Sequence, residues 1–219
     1  MKAVAILSGG LDSTTSLYKA IADGYEIVEA LSFDYGQKHV KELKSAYETC
    51  RNLHIPHKVI NLKSVTHLLK SALTTSDIEV PEGHYAEENM KATVVPNRNM
   101  IMISIAAGRA LSLEVDALIL GVHQGDHAIY PDCRPEFITA MENVLQLCDW
   151  KTVKLYAPFL QSNKTDIVKA GIELKVPFEN TWTCYKGLDK ACGKCGSCVE
   201  RLEAFELNKS KDPIVYEQH

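Results

Sequence analysis

Ala3-Val4-Ala5-Ile6-Leu7-Ser8-Gly9-Gly10-Leu11-Asp12-Ser13-Thr14 joins a short apolar, β-branched run to a glycine turn and then to the start of an amphipathic stretch. A strand that passes through such a turn straight into a helix leaves the first helical N–H groups free. Together with the helix dipole these draw an anion. The pattern is not the Walker phosphate loop, which sets Gly-Lys-Ser/Thr after a four-residue spacer, nor the dinucleotide pattern Gly-x-Gly-x-x-Gly, because Leu11-Asp12-Ser13 follows Gly10. A plain glycine turn capped by Asp12 or Ser13 explains fewer of the six residues from Ser8 to Ser13.

Outward from this loop the same alternation repeats. Apolar, β-branched runs at 3–7, 27–33, 58–62, 117–122 and 153–157 predict strands, and 14–22, 40–53, 100–113 and 137–147 carry apolar residues at helical spacing. Strand and helix in turn give an α/β fold with a doubly wound parallel five-stranded sheet, covered on both faces. The rhythm breaks between 62 and 96, where one weak helical stretch (64–72) precedes an acidic run with Glu79, Glu82, Glu87 and Glu88. A gap of that length implies a lid, an interface or disorder. Further helices are predicted at 164–174 and 198–207, and residues 1–219 read as a single domain that includes a cysteine-rich segment, 180–219.

With 46% hydrophobic residues in 219, the chain can build a core, and a net charge of -4 argues against a stable nucleic-acid partner. The run before Ser8 is too short for a signal-peptide core and no later run reaches a membrane span, which predicts a cytoplasmic protein with no membrane partner. Four of the seven cysteines, Cys184, Cys192, Cys195 and Cys198, form a C-x7-C-x2-C-x2-C array with glycines inside its turns. Four thiolates close a tetrahedral site and leave no position for a reacting water, so the array predicts one structural Zn2+ per chain. An iron–sulfur cluster is the main competitor, but in ferredoxins a proline follows the fourth cysteine, and here Val199 follows Cys198. Cys50, Cys133 and Cys148 read as ordinary thiols.

Ser-Gly-Gly-x-Asp-Ser after the first strand resembles the pyrophosphate loop of the N-type ATP pyrophosphatases (the PP-loop superfamily), which cleave ATP between the α and β phosphates. The resemblance implies that Ser8, Gly9, Gly10, Leu11, Asp12, Ser13 and Thr14 hold the phosphates, with Asp12 also holding the Mg2+ that accompanies ATP. Five further stretches, 33–39 (FDYGQKH), 95–100 (VPNRNM), 121–124 (GVHQ), 130–137 (YPDCRPEF) and 183–185 (TCY), extend it along essentially the whole chain. Their order and spacing resemble the 7-cyano-7-deazaguanine synthase family. Membership implies ATP, 7-carboxy-7-deazaguanine and ammonia as substrates, adenylation of the acid and then of its amide, and a homodimer. Free ammonia is the implied nitrogen donor, as the sheet and the cysteine segment are expected to leave no length for a glutaminase.

Residue roles follow in part from position. The segments from Gly121 and Tyr130 lie across the switch point of a doubly wound sheet from the phosphate loop, which points to Gly121, His123, Gln124, Asp132, Arg134 and Glu136 as substrate contacts. Asp132 is expected to accept from the guanine-like N–H groups, and Arg134 or Arg98 to offset carboxylate or phosphate charge. Lys164 is a phosphate contact by family analogy. Asn97 and Asn99 read equally as caps for the following helix. His123 and His127 stand four apart, but Gly125 argues against the helix that such a metal pair uses, leaving a loop contact or a substrate hydrogen bond. An amide-forming or tRNA-thiolating synthetase of the same superfamily is the alternative; a zinc-ribbon binding module would leave the phosphate loop without a purpose.

Overall fold

A computed structural model describes residues 1–75, 77–83, 88–186 and 189–218, so Glu87 of the acidic run lies outside the described residues. Five parallel strands, β1 (Lys2–Ile6), β2 (Glu26–Asp34), β3 (His57–Asn61), β4 (Ala117–Ile119) and β5 (Lys154–Tyr156), form one sheet in the order β3-β2-β1-β4-β5. β1 lies at its centre, with Ala5 opposite Ala30 on one side and Ile119 on the other. The chain winds from β1 to β3 in one direction, then returns to build β4 and β5 in the other. The winding therefore reverses between β1 and β4, where a crevice opens at the carboxyl ends of the strands.

The alternation of β1 assigns its neighbours. Ala3 and Ala5 face α1 (Leu11–Ala22) and α2 (Lys41–Leu53), where small residues such as Ala20 and Ala46 allow close approach. Val4 faces the larger cluster of α4 (Arg98–Ser112) and α5 (Pro135–Leu145), which includes Ile103, Leu118 and Met141. Between these lies the four-residue α3 (Lys63–Thr66), while α6 (Lys164–Glu173) and α7 (Gly196–Leu207) pack Ile167, Val168 and Phe205 against Leu11.

The helix read at 64–72 ends at Thr66, and of the other boundaries that differ from those read in the sequence, three bear on the crevice. α1 begins at Leu11, three residues earlier, because the helix starts directly from the glycine turn. β4 ends at Ile119, and residues 120–122 leave the ladder to line the crevice. α4 starts after Asn97 in a left-handed conformation (φ 60°) with no cap from its own side chain. The cap is remote: Asp132 Oδ2 accepts from the Asn99 N–H at 3.0 Å.

The described part of 62–96 is packed rather than loose. Ala72, Leu73, Met90 and Val95 are buried, Ala72 N–H donates to the Ala92 carbonyl at 2.7 Å, and Glu82 forms an isolated bridge with Cys195. Lys186 adds an ion pair to Glu82. This segment thus braces the cysteine turn. Among the described residues, no helix is long and apolar enough to cross a membrane.

Candidate active site and cysteine centre

The phosphate loop takes its shape from contacts that only glycine allows. Gly9 sits at φ +87°, and a Cβ there would lie 2.1 Å from the Glu42 carbonyl oxygen. A Cβ on Gly121 would lie 2.7 Å from Ser13 Cα, so β4's end presses directly on the loop. Ser8 Oγ and Ser13 Oγ are 2.9 Å apart, and Gly10 N–H donates to Ser8 Oγ at 3.1 Å. No side chain caps α1 at Gly10. The first-turn N–H groups and two hydroxyls therefore converge beside an open crevice, the arrangement that binds phosphate.

That crevice opens at the carboxyl ends of the strands, between the loop and the wall that carries Arg98. Ser8, Asp12, Ser13, Arg98, Gly121 and Lys164 line it, so six of the residues read from sequence meet in one place. Others lie elsewhere. Leu11 belongs to the core under α6 and α7, and Thr14 is fully buried, so neither side chain can reach an anion there. Gln124 and Glu136 are exposed away from the lining, and Arg134 Nε donates outside it to the His127 carbonyl at 2.8 Å. Asp132 lies outside the lining, where its Oδ2 caps α4.

Lys164, on the first turn of α6, reaches Asp12 Oδ1 and Oδ2 at 2.7 and 2.6 Å and Glu200 at 3.3 Å. Burial alone would lower the Lys164 pKa, but the charges of Asp12 and Glu200 raise it, so the ammonium persists. Burial works upward on Asp12, and Lys164 followed by His123 outweighs it, holding the carboxyl below its ordinary range. His123 is buried just behind: its Nδ1 accepts from Gly125 N–H at 3.0 Å, and its Nε2 lies 3.8 Å from Asp12 and 3.6 Å from Asp126. It acts on the site through Asp12 rather than by touching the crevice, and His127 does not join it at a metal cluster among the described residues.

The far wall is drawn from the stretches that carry the family resemblance, and of its residues Glu42 alone lies outside them. Tyr35, His39, Glu42, Asn99, Tyr130 and Tyr185 line it with Arg98, whose guanidinium lies 5.7 Å from the Tyr35 ring and 5.9 Å from the Tyr130 ring. Burial pushes Glu42 up to about 8, partly opposed by Gln37 and Arg98, and burial with Arg98 pushes His39 down to about 3.

The ligand atoms of Cys184, Cys192, Cys195 and Cys198 all lie within 4.8 Å of one another, and all four residues are buried. Metal–sulfur bonds of about 2.3 Å set tetrahedral sulfur edges near 3.8 Å, and Cys192 and Cys198 stand 4.0 Å apart. Backbone N–H groups of Cys192, Lys194 and Cys195 donate to these sulfurs at 3.3 to 3.4 Å, which favours thiolates. The donor set fits a single metal ion. The centre is tied to the loop: Trp182 N–H donates to the Gly9 carbonyl at 3.0 Å, and Trp182 Nε1 to the Cys184 carbonyl at 3.1 Å.

The model of the family described as queuosine biosynthesis protein QueC matches residues 2–209. A 7-cyano-7-deazaguanine synthase of Methanoregula boonei is 56% identical over 99% of this chain and 100% of its own length. Among solved structures, a 4-thiouridine synthetase in complex with RNA and ATP is similar with a TM-score of 0.53 at 20% identity, over 92% of this chain and 49% of its own. The U34-tRNA thiolase NcsA of Methanococcus maripaludis, with its [4Fe-4S] cluster, is similar with a TM-score of 0.52 at 14% identity, over 95% of this chain and 64% of its own. At those identities the two structures speak for the fold alone.

Proposed function

The chain belongs to the QueC family of queuosine biosynthesis proteins and acts as an ATP-dependent ligase forming 7-cyano-7-deazaguanine, and we propose that one crevice performs two successive adenylations to do so. A carboxylate is an unreactive acyl donor, so its oxygen must first leave as part of AMP. The acid oxygen attacks the α phosphorus of ATP and pyrophosphate departs. Ammonia then displaces AMP, giving the amide. In the second round the amide oxygen attacks a second α phosphorus, and loss of AMP and the nitrogen's protons leaves the nitrile. The observation that carries this reading is the uncapped start of α1, with Ser8 and Ser13, pressed against Gly121 at the reversal point of the sheet.

In this proposal the N–H groups from Gly9 to Ser13 receive the departing pyrophosphate, while Arg98 offsets the charge that grows at the α phosphate or the acid. Asp12 holds the Mg2+ that arrives with ATP, once phosphate has drawn Lys164 away from it. Four sulfurs within 4.8 Å have room for one ion but not for the eight atoms of a cubane cluster, which supports Zn2+, one per chain, in a structural role. We extend the proposal, on the family resemblance, to free ammonia as donor, a single-domain homodimer, a cytoplasmic location and no stable nucleic-acid partner.

The test is the mass of the base after incubation with 7-carboxy-7-deazaguanine, ATP, Mg2+ and ammonium. The acid should give way to the amide and then to the nitrile, with two AMP formed per nitrile. Accumulation of the amide with one AMP would refute the second round.

A further inference from the structure

Residues 33–39 stand out in the sequence, yet the adenylation steps leave them without a task. In the fold they and the start of α2 make one end of the crevice. Gln37 is the hinge pin: its Oε1 accepts from Tyr35 N–H at 2.8 Å, and its Nε2 donates to the Phe33 carbonyl at 3.1 Å and to Glu42 Oε1 at 3.0 Å. Glu42 is thereby fixed by one oxygen. Its other oxygen, Oε2, has only a loose contact to His39 Nε2 at 3.4 Å.

The His39 side chain is 5% exposed, and its Nδ1 has no hydrogen-bond partner. A buried ring nitrogen left unpaired is costly, so something other than the chain is its natural partner. The His39 ring lies 5.5 Å from the Tyr185 ring at 50°, giving the end an aromatic wall. Arg98 is held here by Tyr35 Oη at 3.3 Å, and no carboxylate pairs with it among the described residues. The recess therefore offers two adjacent acceptors, a flat wall and one cation.

We infer, resting on the substrate assignment above, that this recess takes the ring of the acid, with Glu42 accepting from its adjacent ring N–H and exocyclic amine, and that Glu42 sets specificity for guanine-type rings. A carboxylate meets two parallel donors in a bidentate pair, the strongest neutral-to-charged match available to a heterocycle. His39 Nδ1 supplies a second acceptor for the amine's remaining hydrogen. Arg98 answers the ring carbonyl or the acid group. Burial favours the protonated Glu42 carboxyl in the free protein, so the ring's two donors bind it with release of that proton to solvent; an adenine edge offers one donor and one acceptor and would leave the proton in place, so occupancy by the adenine of ATP is the opposing outcome.

The experiment measures binding of 7-carboxy-7-deazaguanine, and of the same acid lacking its 2-amino group, to wild type and Glu42→Gln by calorimetry without ATP, beside the KM for ATP. Wild type should bind the deaminated acid about 10- to 100-fold more weakly. Glu42→Gln should weaken the full acid by about the same factor and erase that difference, with the KM for ATP changed less than about threefold. Glu42→Asp, which keeps a carboxylate, should recover part of the discrimination and shows that any loss is not misfolding. An unchanged acid affinity in Glu42→Gln, or a KM for ATP that rises more than the acid Kd, overturns the inference. Discrimination without turnover would sink the two-round chemistry and leave this subsite standing; turnover with unaltered Glu42→Gln binding would do the reverse.

Discussion

Replacing Glu42 with Gln should stabilise the free protein progressively as pH rises. Burial pushes the Glu42 carboxyl up to about 8, against an ordinary 4.5. Its folded pKa is raised, so the folded chain holds this proton where the unfolded chain has lost it. The stability it contributes is full below about pH 4.5 and drains away as pH climbs to about 8. Each unit costs about 1.4 kcal/mol, so between pH 5.5 and 7.5 wild type should lose about 3 kcal/mol through this group. The side chain is 11% exposed, which leaves little solvent screening to discount. Gln has nearly the same shape and can still accept from Gln37 Nε2, but it does not ionise. His39, pushed down to about 3, destabilises the fold as pH falls below about 6.5, in both chains alike, and cancels in the difference. Urea unfolding at closely spaced pH values should show the Glu42→Gln variant gaining about 3 kcal/mol on wild type between pH 5.5 and 7.5, then levelling off above about pH 8.5. Parallel stability profiles, within about 0.5 kcal/mol, would refute the burial argument.

Three further outcomes follow from other parts of the structure. Arg201→Ala strands the buried Asp212, to which Arg201 donates at 2.7 and 2.9 Å, and should cost about 3–5 kcal/mol in denaturant unfolding. Gly9→Ala forces a Cβ into the Glu42 carbonyl at a positive φ, and pyrophosphate release from ATP should slow by at least about tenfold. Removing metal with a strong chelator should release one zinc per chain by elemental analysis and lower Tm by about 10 °C or more, whereas a protein that keeps its Tm with no bound metal would contradict a folding role for the cysteines.

The sequence revealed the parts of the fold that follow from local rules and hid those that depend on distant neighbours. The strand–helix rhythm and the turn at Ser8 to Ser13 are local, and the sheet formed as that rhythm implies. The cysteine array was legible because its spacing alone closes a site. The capping task of Asp132 was hidden because α4 has no cap from Asn97 and takes this one from 33 residues away. Glu42 was invisible for the opposite reason. In sequence it is one acid in the polar stretch Lys41-Glu42-Leu43-Lys44, and only the return of α2 across Gly9 turns it inward, leaving it 8% exposed.

The cysteine cluster stands close behind the loop from Ser8 to Ser13, and its contacts show what it could do there. The loop's Gly9 carbonyl accepts from Trp182, two residues before Cys184, so the loop is held from one side by α2 and from the other by the chain entering the centre. Arg201 fixes that same entering chain through Thr181 Oγ1 at 2.8 Å, Thr183 Oγ1 at 3.0 Å and the Phe178 carbonyl at 3.2 Å. It lies on α7, as does Glu200, which shares Lys164 with Asp12. Cys195 precedes α7 and Cys198 lies in its first turn, so a metal on these sulfurs would fix where this helix begins. A shift of α7 would move Glu200 and Arg201 together. It would change the charge around Asp12 and slacken the strap on Gly9 at once. Adenylation needs the α phosphate held within a fraction of an ångström of the attacking oxygen, and a rigid cross-link beyond the loop supplies that constraint without occupying space that ATP and the base must share.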